Sequence, residues 1–312
     1  MQVHLAAVQA GLDPAIYQSE QAFANTVQGL VEEALAAAPG EAARVVAFPE
    51  LFGLPLLFWL GAPNAVLEAE TALRAALVWL KHLGPGTLAQ GPLGFYRARA
   101  RVAWPVYRRA FEEAARRHRA YLFAGSWFAP RLDEEPSRGV YPLGLGTYNW
   151  GFWVNPEGRL LARPEKLRLM PAEKKALVQP GTWGGQVVRT AIGTLSALIC
   201  LDAFHEGLVE RADAAGAWLL VQPSANPAPW DAPWPADPSR SEGEAWLAEG
   251  LPKKLAGREN LRFGLNPMLV GEFYETRFEG KSNVAAPGEV LATVEDAKAP
   301  GAASAPVEVQ TL

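Results

Sequence analysis

The chain has 312 residues, 49% of them hydrophobic, with eleven tryptophans and a formal charge of −4 from 29 basic and 33 acidic side chains. This composition describes a packed globular protein, and it excludes a disordered chain or one whose basic field would draw nucleic acid or an anionic membrane. A single cysteine excludes an internal disulfide framework and a multi-thiolate metal site, and it fits a reducing cytoplasm.

The opening, Met1 to Ala10, lacks a basic region before its apolar run and is read as a strand over Val3 to Gln9, with no secretory signal. After Gly11-Leu-Asp-Pro14 a helix is expected from Ser19, a natural N-cap, to Ala38, where Pro39-Gly40 stops it. Arg44 to Phe48 is a second apolar strand, ended by Pro49-Glu50-Leu-Phe-Gly53. The apolar patch Leu54 to Leu60 is too short to span a bilayer, so no membrane partner is expected.

Helices are expected over Val66 to Leu83 and Val106 to Arg119, with the arginines from Arg97 to Arg119 forming a solvated face. Tyr121 to Trp127 and Thr147 to Val154 are aromatic-rich strands, the latter turned by Asn155-Pro-Glu-Gly158 into Arg159 to Arg163. Pro164-Glu-Lys166 follows, then a loop at Gln179-Pro-Gly181 and strands over Val187 to Thr190 and Ile192 to Ile199. The last of these delivers Cys200 to its carboxyl end, with a helix from about Glu206.

Ala217 to Gln222 is a further buried strand, ending in Pro223-Ser-Ala-Asn226. Pro227 to Pro252 begins as a long irregular loop, a helix is expected over Leu255 to Phe263, and Met268 to Phe273 and Ser282 to Val294 supply the last strands. The Ala/Pro-rich tail from about Lys298 reads as loose. Strands and helices alternate with no linker between two compositions, so one α/β domain spanning 1–312 is expected.

Three reactive side chains stand at the ends of strands: Glu50, Lys166 and Cys200. An ordinary thiol, with pKa near ~8.5, is scarcely ionised at neutral pH and attacks a carbonyl only with help from a base or a cation. A carboxylate can take its proton and an ammonium can hold the oxyanion that forms, so the three together suffice for acyl transfer. A Cys-His pair using His205 is the competing arrangement, and a binding protein that keeps the fold without catalysis is the competing class. No metal-ligand cluster or phosphate loop is evident, and no cofactor is expected.

These residues carry a resemblance to the nitrilase superfamily, the carbon-nitrogen hydrolases. It rests on Ala6-Ala-Val-Gln9, Phe48-Pro-Glu50, Lys166-Leu-Arg-Leu with Pro180-Gly181, Ile199-Cys200-Leu-Asp202, Arg258-Glu-Asn260, Phe278-Glu-Gly-Lys-Ser282 and Pro287-Gly-Glu-Val-Leu291, in the family's order. The resemblance implies an αββα sandwich, a homodimer, and hydrolysis of a small amide or nitrile, or of a carbamoyl compound. It implies Glu50 as base, Lys166 as oxyanion stabiliser and Cys200 as the thioester-forming nucleophile. Glu173 is read either as orienting Lys166 or assisting the base, or as a surface residue at a helix start. Leu201, through its N–H, and Asn226 are expected at the substrate. The sequence departs from many amidase-like members in having Ala203-Phe204-His205 where an arginine is common, and in a long interval from Glu50 to Lys166. Leu54 to Leu60 and Trp230 to Trp234 either shape an apolar substrate pocket, or cover an oligomer interface or merely pack.

Overall fold

In the strand Gln2–Leu12, Val3, Leu5 and Ala7 enter one hydrophobic cluster while Ala6, Val8 and Ala10 enter another, as the two-residue period of a strand requires. A strand buried on both faces must lie between two packed layers. The computed structural model, which describes residues 1–135, 137 and 139–309, shows those layers. The first sheet has the order Thr276–Phe278, Leu269–Phe273, Gln2–Leu12, Ala43–Ala47, Tyr121–Glu135, Gly139–Val154 and Leu160–Ala162. The second runs Glu289–Thr293, Asn283–Ala286, Phe263–Asn266, Ala217–Val221, Gly193–Ala197 and Val187–Thr190.

Between the sheets, Leu5, Val45, Phe123 and Trp153 meet Leu195, Leu219, Val221 and Leu265. On the outer face of the first sheet, the helices Glu20–Ala34 and Gly91–His118 bury Phe23, Val27 and Phe111 against Val46, Leu122 and Phe152. On the outer face of the second, Glu206–Ala214 and Leu251–Leu255 bury Val209, Leu251 and Leu255 against Leu220 and Ala285. The layering is the expected αββα sandwich. Among the described residues no helix is long and apolar enough to cross a membrane.

Several elements differ from the sequence reading. The tail is a strand: Gly301–Glu308 pairs antiparallel with Gln2–Leu12 from Gln9↔Gly301 to Gln2↔Glu308. Its small residues fit beside a strand covered on both faces, and Pro306 is tolerated because this strand has a partner on one side only. Gln9 ties the approach to it, donating to the carbonyls of Asp296 (2.6 Å) and Ala299 (2.7 Å) and accepting from Ser282 N–H (2.7 Å).

The helix expected over Leu255 to Phe263 lies earlier, as Glu242–Glu249 and Leu251–Leu255. Ser241 and Glu244 form a reciprocal capping box that starts the first of these. Asp213 then accepts the N–H groups of Glu259 (3.1 Å), Asn260 (2.8 Å) and Leu261 (2.8 Å), which holds Arg258-Glu-Asn260 as a loop. The helix expected from Val106 begins at Gly91 and passes through Pro105. Thr71 caps Ala72–Leu83, which splits the helix expected over Val66 to Leu83.

Arg99 is not part of a solvated face. It is buried, stacked 3.8 Å over Trp79, and donates to the carbonyls of Leu57 (2.8 Å) and Leu60 (2.5 Å) at the end of the helix Leu54–Trp59. Burial lowers its pKa to about 10, which still leaves the guanidinium charged at neutral pH.

Deleting residues 301–312 would bare one side of the first strand over eight paired positions. A melting temperature lowered by about 10 °C or more, or loss of soluble protein, is expected; thermal unfolding that matches the full chain would contradict this role.

Candidate active site

Glu50, Cys200 and Ala225 each follow the carboxyl end of a parallel-paired strand: Ala43–Ala47, Gly193–Ala197 and Ala217–Val221. That is where open α/β sheets leave backbone and side chains free to converge. At Glu50 the chain turns sharply, with Leu51 in the left-handed region (φ 62°). Ser126 holds this turn, its Oγ accepting from Leu51 N–H (3.1 Å), its N–H donating to Pro49 (3.3 Å) and its carbonyl accepting from Gly53 N–H (3.0 Å). Gly125 must be glycine here, because its φ is 76° and a Cβ would collide with the Pro49 carbonyl oxygen.

Lys166 is held by backbone on every side. Its N–H donates to Asn149 (2.7 Å), its carbonyl accepts from Gly181 N–H (2.8 Å), and the next two N–H groups, of Leu167 and Arg168, donate to the Asp202 carboxylate at 2.8 and 2.7 Å. Glu165 anchors the preceding position through a bidentate pair with Arg131 at 2.6 and 2.7 Å. A side chain at Gly181 would strike Glu165, which explains the glycine of Pro180-Gly181.

Cys200 has φ 51°, a left-handed conformation that costs a non-glycine residue on the order of 1–3 kcal/mol. Its N–H donates to Pro223 (2.9 Å) and its carbonyl accepts from Gln222 Nε2 (3.3 Å), so the neighbouring strand end supports the strained residue. The residues Cys200–Phe204 form a single 3-10 turn; Leu201 N–H lies at its start, where helical N–H groups have no carbonyl behind them.

The side chains meet in one buried cluster. Lys166 Nζ lies 2.7 Å from Glu50 Oε1 and 2.8 Å from Glu173 Oε2. Asn149 Nδ2 donates to Glu50 Oε1 and to Glu173 Oε1, each at 2.8 Å. Ala225 N–H donates to the other Glu50 oxygen (3.1 Å), and Met170 N–H to Glu173 Oε2 (2.8 Å). Exposures of 3% for Glu50, 2% for Lys166 and 6% for Glu173 mean that water does not screen these charges.

The electrostatics follow from two carboxylates sharing one ammonium. Burial pushes Glu50 above the usual carboxylate range, Lys166 pulls it down and Glu173 pushes it up again. Burial would lower the Lys166 ammonium, but Glu50, Cys200 and Glu173 outweigh that and hold it above the usual lysine range. Burial and then Glu50 raise the Cys200 thiol, with Lys166 opposing. The resting cluster is therefore a neutral thiol beside a charged lysine and a carboxylate of raised basicity.

Cys200, Glu50, Lys166 and Glu173 open into one cavity of about 930 Å³ that Leu201 and Asn226 also line. Glu173 stands in the short helix Pro171–Lys175, yet it is buried against Lys166, so it is not a surface residue. Asn226 borders the cavity while its Nδ2 donates to the Ala228 carbonyl (3.1 Å). Leu54, Phe58 and Trp234 line the cavity; Trp230 instead packs with Met268 and Ala297. His205 is exposed and meets Arg168 (2.9 Å), outside the cavity lining.

Two members of the network carry no role in the sequence reading. Asn149 sits in an aromatic-rich strand, and a fully buried amide in such a strand is the available signal that it has partners. Asp202, two residues past the cysteine, shows itself only through its backbone partners; burial pushes its carboxyl up to about 7 while those two N–H groups pull it down.

A family model described as carbon-nitrogen hydrolase matches residues 4–240. Among solved structures, the chain is similar to a carbon-nitrogen hydrolase from Helicobacter pylori G27, at 18% identity and TM-score 0.65 over 98% of this chain and 88% of that one. It is also similar to a cysteine-to-serine variant of the Nesterenkonia AN1 amidase from the nitrilase superfamily, at 18% identity and TM-score 0.62 over 97% and 90%. A third is Saccharomyces cerevisiae Nit3, a member of branch 10 of the nitrilase superfamily, at 16% identity and TM-score 0.57 over 98% and 89%. No curated protein sequence shows significant similarity to the chain. The αββα layers, the buried cluster at their strand ends and the family match together place this chain in the carbon-nitrogen hydrolase family.

Proposed function

We propose that the protein hydrolyses the C–N bond of a small amide through a thioester on Cys200, with Glu50 as general base and Lys166 as oxyanion stabiliser. The observation that carries this reading is the placement of Lys166 Nζ within 2.8 Å of both Glu50 and Glu173 at the floor of the cavity that Cys200 also lines. In a Glu-to-Gln variant of the Nesterenkonia sp. AN1 amidase, acrylamide is added at the active-site cysteine, which agrees with a nucleophilic cysteine in this fold.

A thiol of raised pKa does not ionise in advance, so Glu50 takes the proton as sulfur attacks the carbonyl carbon. The C=O π electrons move to oxygen, and the Lys166 ammonium with Leu201 N–H receives the charge. Glu50 then returns its proton to the nitrogen, the C–N bond breaks, and ammonia or an amine leaves. Water attacks the thioester, giving a proton to Glu50, and collapse releases the acid and restores the thiol. Glu173 and Asn149 are positioning residues: they hold Lys166 and Glu50 in register and leave the reacting atoms untouched.

Cys200→Ala is expected to abolish ammonia release while leaving the fold intact, and intact-mass spectrometry after brief incubation with amides should show an acyl adduct on the wild type alone. An adduct on Cys200→Ala, or full activity in it, would sink the mechanism. Lys166→Ala should be inactive and also less stable by about 3–5 kcal/mol, because it strands two buried carboxylates.

The base works only deprotonated, so kcat/KM should fall as pH falls through the raised Glu50 pKa, with a midpoint above the ~4.3 of an ordinary glutamate. Asn149→Ala removes a donor that favours the charged form of Glu50, so the same acid limb should move to higher pH. A limb that stays in place in a folded Asn149→Ala protein would show that Asn149 does not act through Glu50.

A further inference from the structure

Binding pockets for small molecules span about 300–1,000 Å³, so the cavity of about 930 Å³ is large for a reaction whose simplest substrates are amides of only a few heavy atoms. Its walls are aromatic. Phe58, Phe128, Phe273 and Phe278 are buried and line it, and Phe58 and Phe273 lock each other in an edge contact with ring centres 5.2 Å apart. Trp234, carried by the hairpin Pro233–Trp234 with Asp237–Ser241, adds a ring on the side of the helix Glu242–Glu249.

The charges at the mouth have one predominant sign. Glu242, Glu249 and Glu275 line it, against Lys175 as the single lining cation, among the described residues, outside the catalytic cluster. Glu249 is paired with Arg240 and Lys253. Glu242 accepts from Trp246 Nε1 (3.0 Å) and Glu275 from Ala72 N–H (2.8 Å), neutral donors that leave their charge in place. Phe204, four residues past the cysteine, presents a ring to the cavity, and no arginine is among the lining residues described.

We propose that the substrate is an amide with a bulky apolar acyl group, arylalkyl or long alkyl, whose far end is neutral or cationic, and that amides ending in a carboxylate are rejected. This rests on the thioester reading above. The reaction is R–CO–NH2 + H2O → R–COO⁻ + NH4⁺, with R filling the aromatic walls. Extra methylenes gain binding in such a pocket, while an anionic end would meet Glu242 and Glu275 with Lys175 alone to offset them.

The test is steady-state ammonia release by the wild-type protein from propionamide, hexanamide, 4-phenylbutyramide, 6-aminohexanamide and adipamate. Adipamate matches hexanamide in chain length and replaces its methyl with a carboxylate. The value of kcat/KM should rise at least about tenfold from propionamide to hexanamide or 4-phenylbutyramide. Adipamate should fall about a hundredfold or more below hexanamide, and the gap should narrow at high salt. Trp234→Ala should lower the ratio of 4-phenylbutyramide to propionamide through KM. Glu242→Gln combined with Glu275→Gln should narrow the gap between hexanamide and adipamate.

A flat response to length, adipamate turned over as well as hexanamide, or ratios unmoved by these variants would overturn the assignment while the thioester reading stands. No ammonia from any amide and no Cys200 adduct would sink both.

Discussion

One ammonium between two buried carboxylates is the interaction on which this site depends. Lys166 satisfies Glu50 and Glu173 at once, and neither carboxylate could remain charged in the interior without it. The arrangement is unbalanced by one negative charge. The surplus holds the Lys166 ammonium above the usual lysine range, while burial, with Glu173 adding to it, raises the Glu50 carboxyl above the usual carboxylate range. A pair with a single carboxylate would satisfy both charges and leave less drive for proton transfer.

Holding three charged groups in place underground requires a rigid frame, and most of it is backbone. The left-handed turns at Leu51 and Cys200 are held by hydrogen bonds from neighbouring strands, the first by Ser126 within Tyr121–Glu135 and the second by Gln222 and Pro223 just past Ala217–Val221. Asp202 links two of the three positions: it belongs to the Cys200 turn, yet it accepts the N–H groups that follow Lys166. Cys200 and Lys166 are thus fixed to each other through one carboxylate.

The cavity above this frame is walled partly by the first sheet, through Phe128, Phe273 and Phe278, and partly by segments outside the sandwich layers. Leu54–Trp59 supplies Phe58 and is closed at its end by buried Arg99, while the hairpin at Pro233–Trp234 and the capped helix Glu242–Glu249 supply the opposite side. The walls carried by these outer segments can change while the frame stays fixed.

The apolar runs and turn signals already specify a layered α/β domain, and Glu50, Lys166 and Cys200 stand out in it as candidate reactive groups. Period and composition are local properties, and a strand buried on both faces must read as near-continuous apolar sequence. What reads wrongly from sequence has a long-range cause. Gly301–Glu308 is a strand because Gln2–Leu12 offers it an edge, Arg258-Glu-Asn260 is a loop because Asp213 takes its N–H groups, and Arg99 is buried because two distant carbonyls need a donor. The parts played by Asn149 and Asp202 were decided in the same way, by partners 99, 24, 35 and 34 residues away. Sequence determined which groups are candidates to react, because that depends on residue type. Tertiary structure alone decided their protonation and their company, because burial and Coulomb interaction depend on distance in space.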